Sequence, residues 1–383
     1  TALVAQYYGA NENSNSSKAA FQAILVTIVA WPVIILALPL THSYFNLMKI
    51  SEVQIGYQIE YMNILAFGGV FSMMRYTMAC YFTGVGRTKI VMSATIVALI
   101  VNVILDYILI FGKFGMPAMG VRGAAIATVS GAFSAIVVLT FAYFSKQNRT
   151  EFSILKSFTF DWKIMKKLLY FGYPAGLEMF LNFLAFSVMI FLFHAKGDTV
   201  ATATTIMFNW DLVSFIPLLG IEIAVTSLVG RYMGAEQPLV ARHAAISGIK
   251  TGIFYSVVIL GLFVFIPETL VRVFHPETFS QVFEDAVPIA VNMIRIAALY
   301  VLVEAMFVGL VGALRGAGDT HFTMIASVVA HWSFVPLLWL SLNVFNFSIE
   351  FSWFLIVLFF LIFSGVLYHR FRSGKWMKIK LIH

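Results

Sequence analysis

The segment Gly84-Val85-Gly86-Arg87-Thr88 closes one long hydrophobic run and opens the next, and it returns 232 residues later as Gly316-Ala317-Gly318-Asp319-Thr320. Each copy is followed at the same distance by a methionine, Met92 and Met324. A second pair repeats with a similar offset of 225 residues: Tyr7-Tyr8-Gly9-Ala10 and Tyr232-Met233-Gly234-Ala235. Self-similarity at such a distance marks two copies of one structural unit.

Around these turns the composition is far from that of a soluble protein. Of 383 residues, 60% are hydrophobic and 11% charged, where soluble domains carry about 25% charged residues. Apolar runs of about 20 residues read as membrane-spanning helices. Ten are expected, near 19–41, 54–83, 90–111, 121–144, 167–194, 199–230, 243–266, 285–314, 321–345 and 351–370. The expected class is an all-α polytopic membrane protein. Six spans separate the two copies of the turn, and an even number gives both halves the same orientation. That is a parallel repeat about an axis along the membrane normal.

The second half holds six spans, and the first shows four and the tail of another. The repeat therefore predicts a first lobe that lacks its first span and most of its second. The expected organisation is a first lobe over 1–145, a polar cytoplasmic linker over 146–166, and a second lobe over 167–383 with a basic cytoplasmic tail.

The net charge of +7 is distributed by side. Counting alternate loops from the N-terminus, 17 of the 25 Lys and Arg fall on one side, including the linker and the residues from Arg370 to Lys380. The positive-inside rule makes that side, with the C-terminus, cytoplasmic. The expected location is a bacterial-type inner membrane, multi-pass. The basic surplus is a topology signal, so nucleic acid is not an expected partner. Cys80 stands alone, which excludes an intramolecular disulfide and reads as a packing residue. There is no HExxH zinc motif, no GxSxG nucleophile turn and no Gly-rich phosphate loop with its Lys, so no enzymatic activity and no cofactor are expected.

Chemistry is expected where ionisable side chains sit inside spans, at a cost of roughly 2.5–3.5 kcal/mol each by insertion scales. Asn102 and Asp106 are four residues apart and share a helix face. The repeat places Phe334 and Leu338 at their counterparts, so only one lobe carries the polar pair. Asp211 and Glu222, eleven residues apart, also share a face, with Ser214 and Leu218 between them. Two carboxylates in a cavity would attract an organic cation; alternatively Glu222 lies near the cytoplasmic end and is solvated. Glu178 and Glu304 are further intramembrane acids, which either serve transport or pair with Arg295 or Lys250. His331 reads as a packing residue or a proton relay, and Met207, Phe208 and Trp210 as core or as the lining of a drug cavity.

Taken together, these motifs resemble the MATE family of multidrug and toxic compound extrusion transporters. The resemblance rests on Val4 to Ala10, Gly84 to Lys89, Asn102 to Tyr107, Gly120 to Thr128 and Leu314 to Thr320, in the family's order. It implies two six-helix lobes in a V and monomeric antiport of organic cations against Na⁺ or H⁺. It also implies an ion-coupling site at Asn102, Asp106 and Thr128, joined by an Asp on the helix expected before Thr1. A carboxylate, an amide and a hydroxyl suit Na⁺, and the carboxylate alone suits a proton. In the NorM-like branch of the family two further acids act in the second lobe. One position falls here on Asn182, a departure that Glu178 one turn earlier could cover; the other falls on Glu304. Glu178, Asn182, Asp211, Glu222 and Glu304 are thus candidates for substrate binding or a second coupling site. The alternative function is a lipid-linked oligosaccharide flippase of related fold. It ranks second because six intramembrane acids stand against three bases.

Overall fold

The structure is a computed structural model and describes residues 1–47 and 52–382. Among the described residues every regular element is helical. Two compact units divide near Leu168. The first holds α1 (Ala2–Gly9), α2 (Asn13–Leu47), α3 (Glu52–Gly84), α4 (Thr88–Phe111), α5 (Gly120–Tyr143) and α6 (Lys146–Phe152), together with the first residues of α7 (Trp162–His194). The second holds the rest of α7, then α8 (Asp198–Gly234), α9 (Pro238–Phe265), α10 (Pro267–Arg272), α11 (Gln281–Ala297), α12 (Val301–Ala317), α13 (Thr320–Asn343) and α14 (Ile349–Arg372).

Eight of the described helices are long and apolar enough to cross a membrane: α2, α4, α5, α7, α8, α9, α13 and α14. The α11–α12 pair makes a ninth if counted as one span. The remaining expected span is α3, a continuous helix whose first third carries Glu52, Gln54, Gln58, Glu60 and Asn63. The run 285–314, read as one straight span, is bent by 51°. The bend has a local cause. Leu299 N–H donates to Ile296 O and Tyr300 N–H to Ala297 O, both at 3.0 Å. These three-residue steps tighten the backbone before α12 resumes.

Small residues let the helices touch, since helix contacts in lipid rest on close packing. In the first unit α4 runs along α5. A Cβ added at Gly123 would sit 2.7 Å from the Leu109 backbone, and one at Gly131 would sit 2.9 Å from Ala98 O. In the second unit α12 is central, packed by α8, α9 and α14 and buried on most faces. A Cβ added at Gly312 would sit 2.7 Å from Glu222 O, and one at Gly316 would sit 2.6 Å from Thr226 O. Pro217 lies within α8 without breaking it.

Both units end in a short strap that folds back on the repeated turn. In the first, Asn148 and Phe152 of α6 and the following Ile154 are fully buried. Asn148 Oδ1 accepts from Tyr81 Oη and from Arg87 Nη1, both at 3.1 Å, and Arg87 Nη2 meets Glu151 Oε2 at 2.5 Å. These contacts anchor the start of the polar linker in the first unit. In the second, Arg370 forks onto Asp319 at 2.7 and 3.1 Å, and Trp376 is fully buried and stacked on Phe371. Leu381 is 3% exposed and covers Gly318. The tail thus packs through Phe371, Trp376 and Leu381 while Arg372, Lys375, Lys378 and Lys380 stay exposed.

Candidate functional site

In the first unit the candidate coupling residues lie on the α4–α5 seam. Ala94, Ala98, Asn102 and Leu109 recur at helical spacing on the α4 face that meets α5, whereas Leu99, Val103 and Tyr107 point outward. Gly131 faces Ala98 and Asn102, and Gly123 faces Leu109, so α4 and α5 are antiparallel. That register brings Thr128 level with the turn of α4 that carries Asp106. Asn102 and Asp106 are half-buried and Thr128 is exposed. Thr128 Oγ1 donates to Ala124 O at 2.9 Å, leaving its lone pairs available. Among the described residues no hydrogen bond or ion pair engages the Asp106 carboxylate or the Asn102 amide. The three are brought to one level without being tied to one another.

The second unit holds two separate polar clusters on the α8–α12 seam. In the lower one, Arg315 on α12 bridges two carboxylates: Nη2 lies 3.0 Å from Glu178 Oε2 of α7, and Nη1 lies 2.5 Å from Glu222 Oε1 of α8. Glu178 is 2% exposed. One turn along α7, Asn182 Nδ2 donates to Ser327 Oγ of α13 at 2.7 Å, while Asn182 Oδ1 has no partner. His331 Nδ1 meets Ser327 O at 2.8 Å, which fits a packed histidine with one ring nitrogen engaged. In the upper cluster the Tyr300 hydroxyl donates to Asp211 Oδ1 across the α11–α12 bend. Glu304, one turn further along α12 and 6% exposed, interacts electrostatically with Asp211 and keeps Oε2 unpartnered. Ser214 Oγ donates to Asp211 O at 2.8 Å, and Tyr255 Oη to Ser214 O at 3.2 Å, closing that cluster.

Several expectations change here. Glu222 is neither solvated nor grouped with Asp211; it is buried against Arg315, because Gly312 lets the two backbones touch beside it. Glu178 pairs with Arg315 and not with Arg295 or Lys250. Among the described residues no ion pair joins Glu304 to either of those bases. Met207 and Phe208 are core residues at 1% and 8% exposure, and Trp210 Nε1 is spent on Leu270 O at 2.8 Å, so they do not form an open drug-binding wall. Two residues of these clusters, Arg315 and Tyr300, are absent from the sequence-based candidates. Their signal was spacing. Tyr300 precedes Glu304 by four residues, and Glu304 precedes Arg315 by eleven, the same interval that separates Asp211 from Glu222. Among the described residues no group of three His, Cys, Asp or Glu has the geometry of a metal centre.

The family model MatE matches residues 1–108 and 174–340, covering most of the chain and all the acids above. The chain belongs to the MatE family. Members of this family are transporters and not enzymes, and the chain is a multi-pass membrane transporter. Multidrug resistance protein PmpM of Pseudomonas aeruginosa is 30% identical over 336 residues, covering 87% of this chain and 69% of that protein. Probable multidrug resistance protein NorM of Thermotoga maritima is 28% identical over 389 aligned positions, 99% of this chain and 80% of that protein. Solved structures agree on the fold. A MOP superfamily transporter from Pyrococcus furiosus, described with a binding pocket of reversed polarity, superposes with a TM-score of 0.89 at 18% identity over 97% of this chain and 81% of that chain. An outward-facing multidrug resistance MATE family transporter gives a TM-score of 0.86 at 19% identity, covering 98% and 83%.

Proposed function

We propose that this MatE-family chain exports organic cations from the cell, driven by inward movement of Na⁺ or H⁺ at Asp106. The carrying observation is the Asp106 carboxylate itself. It lies within the spanning helix α4, five residues before its end at Phe111, half-buried, with no counter-charge among the described residues. A carboxylate left unpaired in a membrane helix persists where function needs a vacant charge. Asn102, one turn away, and Thr128, level on α5, add oxygen ligands of the kind Na⁺ takes. The multidrug resistance names of the relatives support a range of substrates.

In the second unit the Asp211–Tyr300–Glu304 cluster is the better candidate for cation binding, because Glu304 Oε2 lacks a partner. In the Glu178–Arg315–Glu222 cluster both carboxylates are engaged by one guanidinium, and the cluster serves to hold three helices. Asn182, bonded to Ser327, takes a lesser part. The flippase reading needs a free cation for a pyrophosphate, and the two carboxylates on Arg315 count against it. The charge asymmetry of the loops supports a cytoplasmic C-terminus. The test is transport in proteoliposomes with Na⁺ and pH gradients imposed separately. Uptake of a fluorescent organic cation that follows neither gradient contradicts the proposal, and the gradient it does follow names the ion.

A further inference from the structure

The strap after α5 carries a cleft that the transport reading does not use. It encloses about 470 Å³ and is lined by Lys146, Arg149, Thr150, Ser153, Leu155 and Lys156. Three of the six are cations and none is an acid. Lys146, Arg149 and Lys156 form no salt bridge among the described residues, and the nearby Glu151 is turned away onto Arg87 at 2.5 Å. Ser153 makes no side-chain hydrogen bond there, so its hydroxyl is available as a donor. The residues between the lining positions are packed. Asn148, Phe152 and Ile154 are fully buried, and Ser17 Oγ donates to Phe152 O at 2.7 Å. The positive charge is therefore held in place on a packed base and is not spread over a loose tail.

We propose that this cleft binds the phosphate of an anionic lipid headgroup. A phosphate diester carries the charge and the acceptor oxygens that three cations and a hydroxyl satisfy together. Its position commits it to a lipid. The spanning helix α5 ends at Tyr143, three residues before Lys146, which places the cleft at the level of the headgroups. Beyond it Leu155, Phe160 and Trp162 are 59%, 61% and 63% exposed, as side chains that dip into a bilayer surface are. Lysines and arginines beside such anchors attract anionic lipid at short range. These residues lie between the two segments matched by the family model. The site rests on neither the coupling ion nor the exported compound.

The test is native mass spectrometry of the full chain in neutral detergent, titrated with phosphatidylglycerol, phosphatidylcholine or inorganic phosphate. The wild-type chain is expected to retain phosphatidylglycerol and to release phosphatidylcholine. A K146Q/R149Q/K156Q variant is expected to bind phosphatidylglycerol about 10- to 100-fold more weakly, as loss of three surface cations implies. A K163Q/K166Q variant keeps the cleft while removing two nearby charges, and is expected to change by less than about twofold. Size-exclusion profiles and tryptophan fluorescence confirm that both variants are folded. Equal binding by the triple variant, or equal loss in the double variant, overturns the site. Competition by inorganic phosphate at lipid concentrations overturns the lipid as its occupant.

Discussion

Arg315 holds two carboxylates from different helices, so replacing it strands both. Breaking a buried ion pair costs about 3–5 kcal/mol because the remaining charge keeps its desolvation penalty. Arg315→Met is expected to lower thermal stability in detergent sharply. Glu222→Gln, which leaves Arg315 its Glu178 partner, is expected to lower it less. Equal stability of Arg315→Met and the parent, read by a fluorescence melting curve, would show that the pair is not formed in the protein. Asp106 predicts the opposite pattern. With no partner among the described residues, Asp106→Asn removes a charge that nothing stabilises, so stability is expected to hold or rise while coupled transport is lost. Stability and activity thus separate an architectural acid from a functional one.

Between elements, α8 and α12 run parallel with a nearly constant offset: Gly312 meets Glu222 and Gly316 meets Thr226. An interval of eleven residues is about three turns, or roughly 16 Å. Equal intervals on two parallel helices therefore place two polar clusters at two heights, Asp211 with Glu304 and Glu222 with Arg315. The interval was legible in each helix alone; the pairing was not, because it depends on which helices touch. Arg315 is hard to read from sequence for a related reason, since the apolar run ends at Leu314 while the helix continues to Ala317. Gly312→Leu inserts a side chain where even a Cβ would lie 2.7 Å from Glu222 O. It is expected to cost about 1–3 kcal/mol by overpacking, and a melting curve within one degree of the parent would count against the seam.

The straps make a second test at this scale. The repeated turn binds its strap through Arg87 and Glu151 in one copy and through Asp319 and Arg370 in the other, with the charges exchanged. Arg370→Asp alone sets two carboxylates together and is expected to destabilise. Adding Asp319→Arg is expected to recover most of that loss, and an additive double-mutant cycle would contradict the pairing.

At the scale of the molecule, the helical class and the apolar spans were legible from turn motifs and apolar runs, because bilayer thickness dictates helix length. The bend within 281–317 was not, since it is made by local three-residue backbone steps that no apolar run reveals, and neither was the burial of Trp376 and Leu381, which depends on contacts distant in sequence. The repeat also shows what is not shared. Where one copy has Asn102 and Asp106, the other has Phe334 and Leu338, both buried in its core. The coupling proposed at Asp106 would therefore be confined to one half. The most direct measurement is gradient-driven transport of an organic cation by Asp106→Asn beside the parent, in proteoliposomes with matched protein insertion. The account predicts that the variant loses transport driven by either a Na⁺ or a pH gradient. Transport at the parent's rate under the same gradients would contradict it.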